Sequence, residues 1–249
     1  LSTEIAIKVD GYSDIPESIK SLGLPLESEI ESDKGLLLVG WHQDKLALFS
    51  DQSGPIYVDF VEGKVAHRRQ FGGGKKQPLA RAVGLSSKVN PTVIDATAGF
   101  GRDSFVLASL GCKVVMIERS PIMAALLKDG LDRAAKEVEI ADIIARMSII
   151  NADAITQLEE SEAVQVIYLD PMYPEKKKAA AVKKEMRVLQ QLAGPDLDSV
   201  LLLNAALNKA IKRVVVKRPK GAKPIEGRKV NSEISSPNTR YDIYNLEAF

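Results

Sequence analysis

Asp170, Pro171 and Tyr173 stand together in the stretch Tyr168-Leu169-Asp170-Pro171-Met172-Tyr173-Pro174. An acidic acceptor, a rigid proline and an aromatic ring are what a site needs to hold a flat aminated base. The lone pair of an exocyclic amine is delocalised into its ring, so the amine attacks a methyl sulfonium poorly. Acceptors on its hydrogens, from the Asp170 carboxylate and nearby backbone carbonyls, restore density on nitrogen and orient it for in-line attack. Tyr173 can stack on the base. The same residues can also serve as a proline turn that ends a buried strand.

Three further segments suit a ligand that carries a nucleoside. In Asp95-Ala96-Thr97-Ala98-Gly99-Phe100-Gly101-Arg102-Asp103 the glycines allow a tight turn and close backbone approach, with a helix start beyond. The spacing is not Gly-x-Gly-x-x-Gly, and Arg102-Asp103 occupies the third small position. A pyrophosphate would meet the Asp103 carboxylate there, whereas a zwitterionic amino acid finds both an acid and a base. Glu118, roughly twenty residues on, can accept hydrogen bonds from a ribose diol, or cap the helix after Ser120-Pro121. Asp153 can accept from an adenine amino group, or cap a helix starting near Ala154.

A scaffold must bring these residues to one edge. From residue 92 onward apolar strands alternate with helices: strands over 93–96, 114–118, 148–151, 166–170 and 214–217, helices from Asp103, from Pro121, near Ala154 and from Lys178. Unbroken apolar strands in this alternation predict a parallel sheet covered on both faces. Such sheets bind ligands beyond the carboxyl ends of their strands. Residues 241–246 read as a last strand, antiparallel to its neighbour. Residues 1–65 differ, with short β-type runs at 35–41, 45–49 and 56–60 between turn formers, and predict a small β-rich N-terminal domain. A basic, glycine-rich connector with a short helix around 78–83 fills 66–91, and 92–249 forms the main domain.

The 249 residues, 45% hydrophobic and 27% charged, suffice for one large core with a small appendage. No apolar run approaches the roughly twenty residues of a bilayer span. The lone cysteine, Cys112, has no disulfide partner within the chain, so a reducing, cytoplasmic setting is expected. Cys112 reads as core, which disfavours a thiolate attack of the kind cytosine-C5 chemistry needs. The histidines and the cysteine are too few and too scattered for a metal site.

The motifs Asp95 to Gly101, Glu118, Asp153 and Asp170-Pro171-Met172-Tyr173 resemble the successive motifs of class I S-adenosylmethionine methyltransferases, the last with Met172 in place of a second proline. Val58-Asp59-Phe60-Val61, Ala66-His67-Arg68-Arg69-Gln70-Phe71-Gly72-Gly73-Gly74, Gly101-Arg102-Asp103, Asp170 to Pro174 and Val216-Lys217-Arg218-Pro219 resemble more narrowly the bacterial small-subunit ribosomal RNA methyltransferase J family. The resemblance runs from about Tyr57 to Tyr244 and implies a Rossmann-like, mostly parallel seven-stranded sheet with an antiparallel C-terminal strand. It implies S-adenosylmethionine as cofactor, and methylation of guanine N2 in 16S ribosomal RNA, free or in the small ribosomal subunit. Cofactor contacts carry over to Asp95, Gly99, Arg102, Asp103, Glu118, Arg119, Asp153 and Asp170, with Asp170 and Tyr173 at the chemistry.

The formal net charge of +1 excludes coating of nucleic acid by bulk charge and leaves local clusters as the RNA candidates. These are His67, Arg68, Arg69 and Lys75 before the cofactor loop, Lys176 and Lys177 after the Asp170 motif, and Lys217 and Arg218, with Lys220 and Lys223, at the fifth strand of the main sheet. His67 is given no proton-transfer role. Adenine N6 methylation, a non-catalytic ribosome assembly factor and a nicotinamide oxidoreductase remain alternatives. The intact Asp170 loop speaks against the second of these, and Arg102-Asp103 against the third.

Overall fold

The computed structural model describes residues 4–8, 10, 12–30, 36–50, 53–62, 73–171, 192 and 198–249. His67, Arg68, Arg69, Tyr173, Lys176 and Lys177, with the helix expected from Lys178, lie outside the described residues. At the N-terminus, β1 (Ile5–Ile7), β2 (Leu37–His42), β3 (Lys45–Ser50) and β4 (Ser53–Ile56) form a four-stranded sheet in that order, with helix α1 (Glu17–Lys20) between β1 and β2. β1 runs parallel to β2, and the other pairs are antiparallel. The run expected at 56–60 is a strand only up to Ile56, because the β3–β4 ladder is irregular between Leu48 and Ser50 and the chain then leaves the sheet. Val58 and Phe60 remain buried, but against the main domain rather than in a ladder.

Helix α2 (Pro78–Ala82) leads into the main sheet, where β5 (Thr92–Asp95), α3 (Arg102–Ser109), β6 (Lys113–Glu118), α4 (Pro121–Ala134), α5 (Ala141–Ile144), β7 (Met147–Asn151), α6 (Ala154–Glu160), β8 (Val164–Leu169), α7 (Ser199–Lys209) and β9 (Ala210–Pro219) follow. β10 (Ser232–Ser235) and β11 (Thr239–Asn245) complete it. Among the described residues the seven strands are ordered β10-β11-β9-β8-β5-β6-β7, with β5 to β9 parallel, β11 antiparallel to β9, and β10 antiparallel to β11. This is the mostly parallel, Rossmann-like sheet that the sequence predicts, with β10 an additional edge strand inside the polar excursion after β9.

Successive side chains of a strand point to opposite faces, and here both faces are covered. Val93, Val166, Tyr168 and Val215 enter a core shared with α2, α3 and α4, while Ile94, Ile167, Leu169, Val214 and Val216 enter a second core under α6 and α7. The first core is continuous with the N-terminal sheet through Leu37, Val39, Leu46 and Leu48. Polar contacts add register to that junction. The Arg133 guanidinium on α4 donates to the Val58 carbonyl and pairs with Asp129 at 2.9 Å, and Asp129 accepts from the Leu46 amide at 3.2 Å. No helix among the described residues is long and apolar enough to cross a membrane.

Gly130 on α4 sets how closely the 57–60 segment approaches, since a Cβ there would lie 2.7 Å from Val58 Cγ1 and 3.2 Å from the Val58 carbonyl oxygen. Overpacking of such a contact costs about 1–3 kcal/mol. Gly130→Val should therefore lower unfolding free energy in urea by about that amount. Gly221→Ala, with nothing within 4 Å of the added carbon, should stay within roughly 0.5 kcal/mol of wild type. Equal stability of the two variants would mean that the junction is not closely packed.

Candidate active site

β5 lies between β6 on one side and β8 on the other, so the strand order reverses beside its carboxyl end, where open α/β sheets leave a crevice. A cavity of about 300 Å³ opens there, large enough for a nucleoside-sized ligand. Its wall includes Asp95 and Gly99 after β5, Glu118 ending β6, Asp153 after β7, Asp170 after β8 and Lys217 on β9. Parallel pairing explains the convergence: Asp95 is in register with Tyr168, Glu118 with Asn151, and Val216, just before Lys217, with Leu169, just before Asp170.

The loop after β5 is folded by two left-handed glycines, Gly99 at φ 52° and Gly101 at φ 66°. Gly101 has a second reason to lack a side chain. A Cβ would sit 2.8 Å from Leu127 Cδ2 and 3.2 Å from Phe60 Cζ, so the N-terminal segment forms part of the floor beneath the loop. The Gly99 amide donates to Glu118 Oε2 at 3.0 Å and the Ser120 amide to Glu118 Oε1 at 2.9 Å. Each oxygen of this buried carboxylate thereby gains a backbone partner while the residue still lines the cavity. Asp153 caps α6 through Oδ1, which accepts from the Ile155 and Thr156 amides at 3.1 Å. The capping and the cavity-facing readings of Asp153 thus hold together.

A second set of bonds ties the loop to Asp170. The Ser104 hydroxyl and the Thr97 amide both donate to the Asp95 carboxyl group, the latter at 3.2 Å. Thr97 Oγ1 in turn accepts from the Asp170 amide at 2.6 Å. The Asp170 carboxylate meets Lys217 Nζ at 2.8 Å, and the same ammonium meets Asp103 at 2.8 Å. Tyr168, fully buried, donates its hydroxyl to Asp103 at 2.7 Å, and burial holds that phenol well above its usual range so that it stays a donor. Burial alone would pull the Lys217 ammonium down, but Asp170 and Asp103 more than offset this and hold it above its ordinary value.

Six carboxyl-bearing residues and three cationic ones line the cavity. That balance suits a ligand of net positive charge and repels a pyrophosphate. The residues present therefore fit S-adenosylmethionine, which carries a sulfonium and an ammonium against one carboxylate, better than they fit a dinucleotide. A family model described as "Putative SAM-dependent methyltransferase" matches residues 21–246. Two relatives, each named ribosomal RNA small subunit methyltransferase J, come from Hydrogenovibrio crunogenus and Pseudomonas paraeruginosa. They are 56% and 51% identical, over 92% and 91% of this chain and 89% and 88% of their own lengths. The crystal structure of a SAM-dependent methyltransferase from Neisseria gonorrhoeae is similar at a TM-score of 0.74 with 34% identity, covering 97% of this chain and 95% of that one. The chain belongs to the ribosomal RNA small subunit methyltransferase J family.

For a methyltransferase J chain the sequence-predicted cofactor residues converge: Asp95, Gly99, Arg102, Asp103, Glu118, Arg119, Asp153 and Asp170 all line the one cavity. Arg102 stacks on the Phe100 ring at 4.8 Å, and Arg119 reaches Asp198 at 3.5 Å across the cavity wall. The basic candidates are dispersed. Lys75 bonds the Ser86 carbonyl and the Asn90 side chain at 2.9 and 2.8 Å, Lys217 is turned into the cavity, and Arg218 is buried and donates to the Lys223 carbonyl at 2.8 Å. Val58-Asp59-Phe60-Val61 makes a turn in which Asp59 accepts from the Val61 and Glu62 amides and pairs with Lys45. Thr97, Ser104, Tyr168 and Asp198 escaped sequence reasoning. Thr97 and Ser104 stand two and nine residues after Asp95, a spacing that carries no signal until the loop is folded. Cys112 precedes β6, at the opposite end of the strands from the cavity, and burial pushes its thiol up to about 12.

Burial, aided by the charges of Asp103 and Asp170 and partly offset by hydrogen bonds from Ser104 and Thr97, pushes the Asp95 carboxyl up to about 7. The neutral form is thus favoured in the folded chain. Its stabilising contribution is complete below the ordinary value of 3.8 and is lost as pH rises towards about 7. Asp95→Asn is neutral throughout and should remove this loss. Between pH 5 and pH 8 its decline in urea unfolding free energy should be about 2–3 kcal/mol smaller than that of wild type. Parallel declines would mean that Asp95 is ionised across the whole range.

Proposed function

We propose that this chain transfers a methyl group from S-adenosylmethionine to the N2 amine of a guanine in 16S ribosomal RNA, as free RNA or within the small ribosomal subunit, without a metal. The observation that carries this reading is the Asp170 carboxylate, which opens on the same cavity as Glu118 and Asp153. When bound, S-adenosylmethionine supplies a methyl group on a cationic sulfur that departs with the S–C bonding pair. Glu118 would hold the ribose hydroxyls, Asp153 the adenine amine, and the loop around Gly99, with Arg102 and Asp103, the amino acid end. Asp170 accepts a hydrogen from the target amine and so raises density on nitrogen while the N–C bond forms. The methylated amine is cationic and acidic, and its surplus proton passes to Asp170 or to water. Tyr173 would stack on the base once it is turned out of its helix.

The names of the relatives support small-subunit ribosomal RNA as the substrate. Charge near the cavity supports it as well. The connection from β9 to β10 exposes Lys220, Lys223, Arg228 and Lys229, and its Ala222 and Ile225 are buried, which pins the segment at the carboxyl end of the sheet. These side chains, with His67, Arg68, Arg69, Lys176 and Lys177, would meet phosphates. A substrate of this kind implies a cytoplasmic site of action.

Mass spectrometry of 16S ribosomal RNA nucleosides from cells with and without the protein tests the reading, with loss of N2-methylguanosine expected. Loss of N6-methyladenosine instead would move the target to adenine, and no change would remove the assigned activity. In single-turnover assays Asp170→Ala should slow transfer by about a hundred- to a thousandfold. Asp170→Asn, which keeps an acceptor oxygen, should be milder, and Tyr173→Phe mildest. Near wild-type transfer by Asp170→Ala would reduce the loop to a strand-ending turn.

A further inference from the structure

Lys217 is a cation at the wall of a cavity whose proposed ligand is itself cationic, so cofactor affinity alone does not account for it. Outward phosphate contact does not account for it either, because its ammonium is spent on two carboxylates at 2.8 Å each. Its position is set by the sheet: Lys217 is in register with Tyr241 on β11, and Val216 before it with Leu169 on β8, so the side chain meets Asp170 as the chain leaves β8. Asp170 is thereby gripped twice. Thr97 accepts its backbone amide at 2.6 Å, and Lys217 pairs with carboxylate atom Oδ2. The Asp170 side chain is 40% exposed, and without a partner it would sample several rotamers. Asp103, which shares the ammonium, is itself fixed by the Tyr168 hydroxyl, so the clamp is anchored to the core.

We infer that Lys217 is a positioning residue for methyl transfer, holding the Asp170 carboxylate in one orientation before the target base enters. The inference rests on the methyl-transfer reading above and adds to it a residue that acts through the Asp170 carboxylate. Among the described residues, the titratable groups around Asp170 include Asp95 at the end of β5, Asp103 at the start of α3, Tyr168 on β8 and Lys217 on β9, with Arg102 and Arg119 further along the cavity wall. Of these, Lys217 brings positive charge within contact distance, and its removal leaves Asp103 and Asp170 to repel each other.

The test compares wild type, Lys217→Met and Lys217→Arg for single-turnover methyl transfer, S-adenosylmethionine affinity and the salt dependence of RNA binding. Misplacement of a reacting group by about 1 Å costs up to roughly a hundredfold. Lys217→Met is accordingly expected to slow transfer by about ten- to a hundredfold. Its affinity for S-adenosylmethionine should be unchanged or tighter, since a like charge has gone. Lys217→Arg should recover most of the rate. If Lys217→Met folds poorly in a melting assay, Lys217→Gln, which keeps a donor, carries the same comparison. Wild-type rates in Lys217→Met, or a salt slope flattened by about one unit with transfer otherwise intact, would overturn the inference and in the latter case make Lys217 a phosphate contact. Loss of S-adenosylmethionine binding as the sole defect would also overturn it. No transfer by wild type would overturn the methyl-transfer reading itself, and this inference with it.

Discussion

The carboxyl group of Asp95 is taken out of water at the end of β5, and the cavity-facing loop is folded around it. Removing a carboxyl from water is costly unless its oxygens find donors. Here Ser104 supplies one from the first turn of α3 and the Thr97 amide supplies the other, so the chain has to turn between β5 and α3. The glycines at 99 and 101 make that turn possible in left-handed backbone conformations. Thr97, fixed by the same turn, offers its hydroxyl oxygen to the amide of Asp170, so the burial of one acid determines where the next strand's acid stands. The cavity loop and Asp170 are two ends of one hydrogen-bonded chain.

Charge in the cavity follows the same logic of neighbours rather than of sequence. Lys217 and Arg218 are adjacent in a basic run, and read along the chain they look alike. The alternation of a strand sends them to opposite faces. One is clamped between Asp103 and Asp170, and the other is buried beneath the segment that leaves β9, where it holds the Lys223 carbonyl. Lys220, Lys223, Arg228 and Lys229 of that segment are exposed to solvent. The N-terminal sheet contributes in a comparable way. Phe60 stacks on Phe105 of α3 with centroids 5.2 Å apart and lies under Gly101, so a segment remote in sequence supports the loop from below.

The parallel strands of the main sheet were legible because both of their faces are buried and their residues are apolar without interruption. Glu118, Asp153 and Asp170 were legible because strand ends are where such sheets bind ligands, whatever the register. β10 was not, since Ser232-Glu233-Ile234-Ser235 is a short edge strand with little buried surface and no apolar alternation. β1 was not, because three residues carry no period and its partner β2 lies thirty residues away. Helix α7 was missed although Leu202, Leu203, Ala206 and Leu207 repeat at helical spacing, a signal present in the sequence. Thr97, Tyr168 and the clamping role of Lys217 depend on cross-strand register, which residue types do not encode singly. The side chains of Tyr173 and of the Arg68-Arg69 pair lie outside the described residues, so sequence alone speaks for them.

The central claim is that carboxylates gathered at the strand ends form a site for S-adenosylmethionine, with Glu118 at the ribose. Calorimetric titration of S-adenosylmethionine into wild type and Glu118→Ala tests it most directly. The account predicts one site per chain in wild type and, for a charged acceptor of ribose hydroxyls, a loss of roughly 1.5–3 kcal/mol in the variant, about ten- to a hundredfold in affinity. Absence of S-adenosylmethionine binding by wild type, or an affinity that Glu118→Ala leaves unchanged in a folded protein, would contradict it.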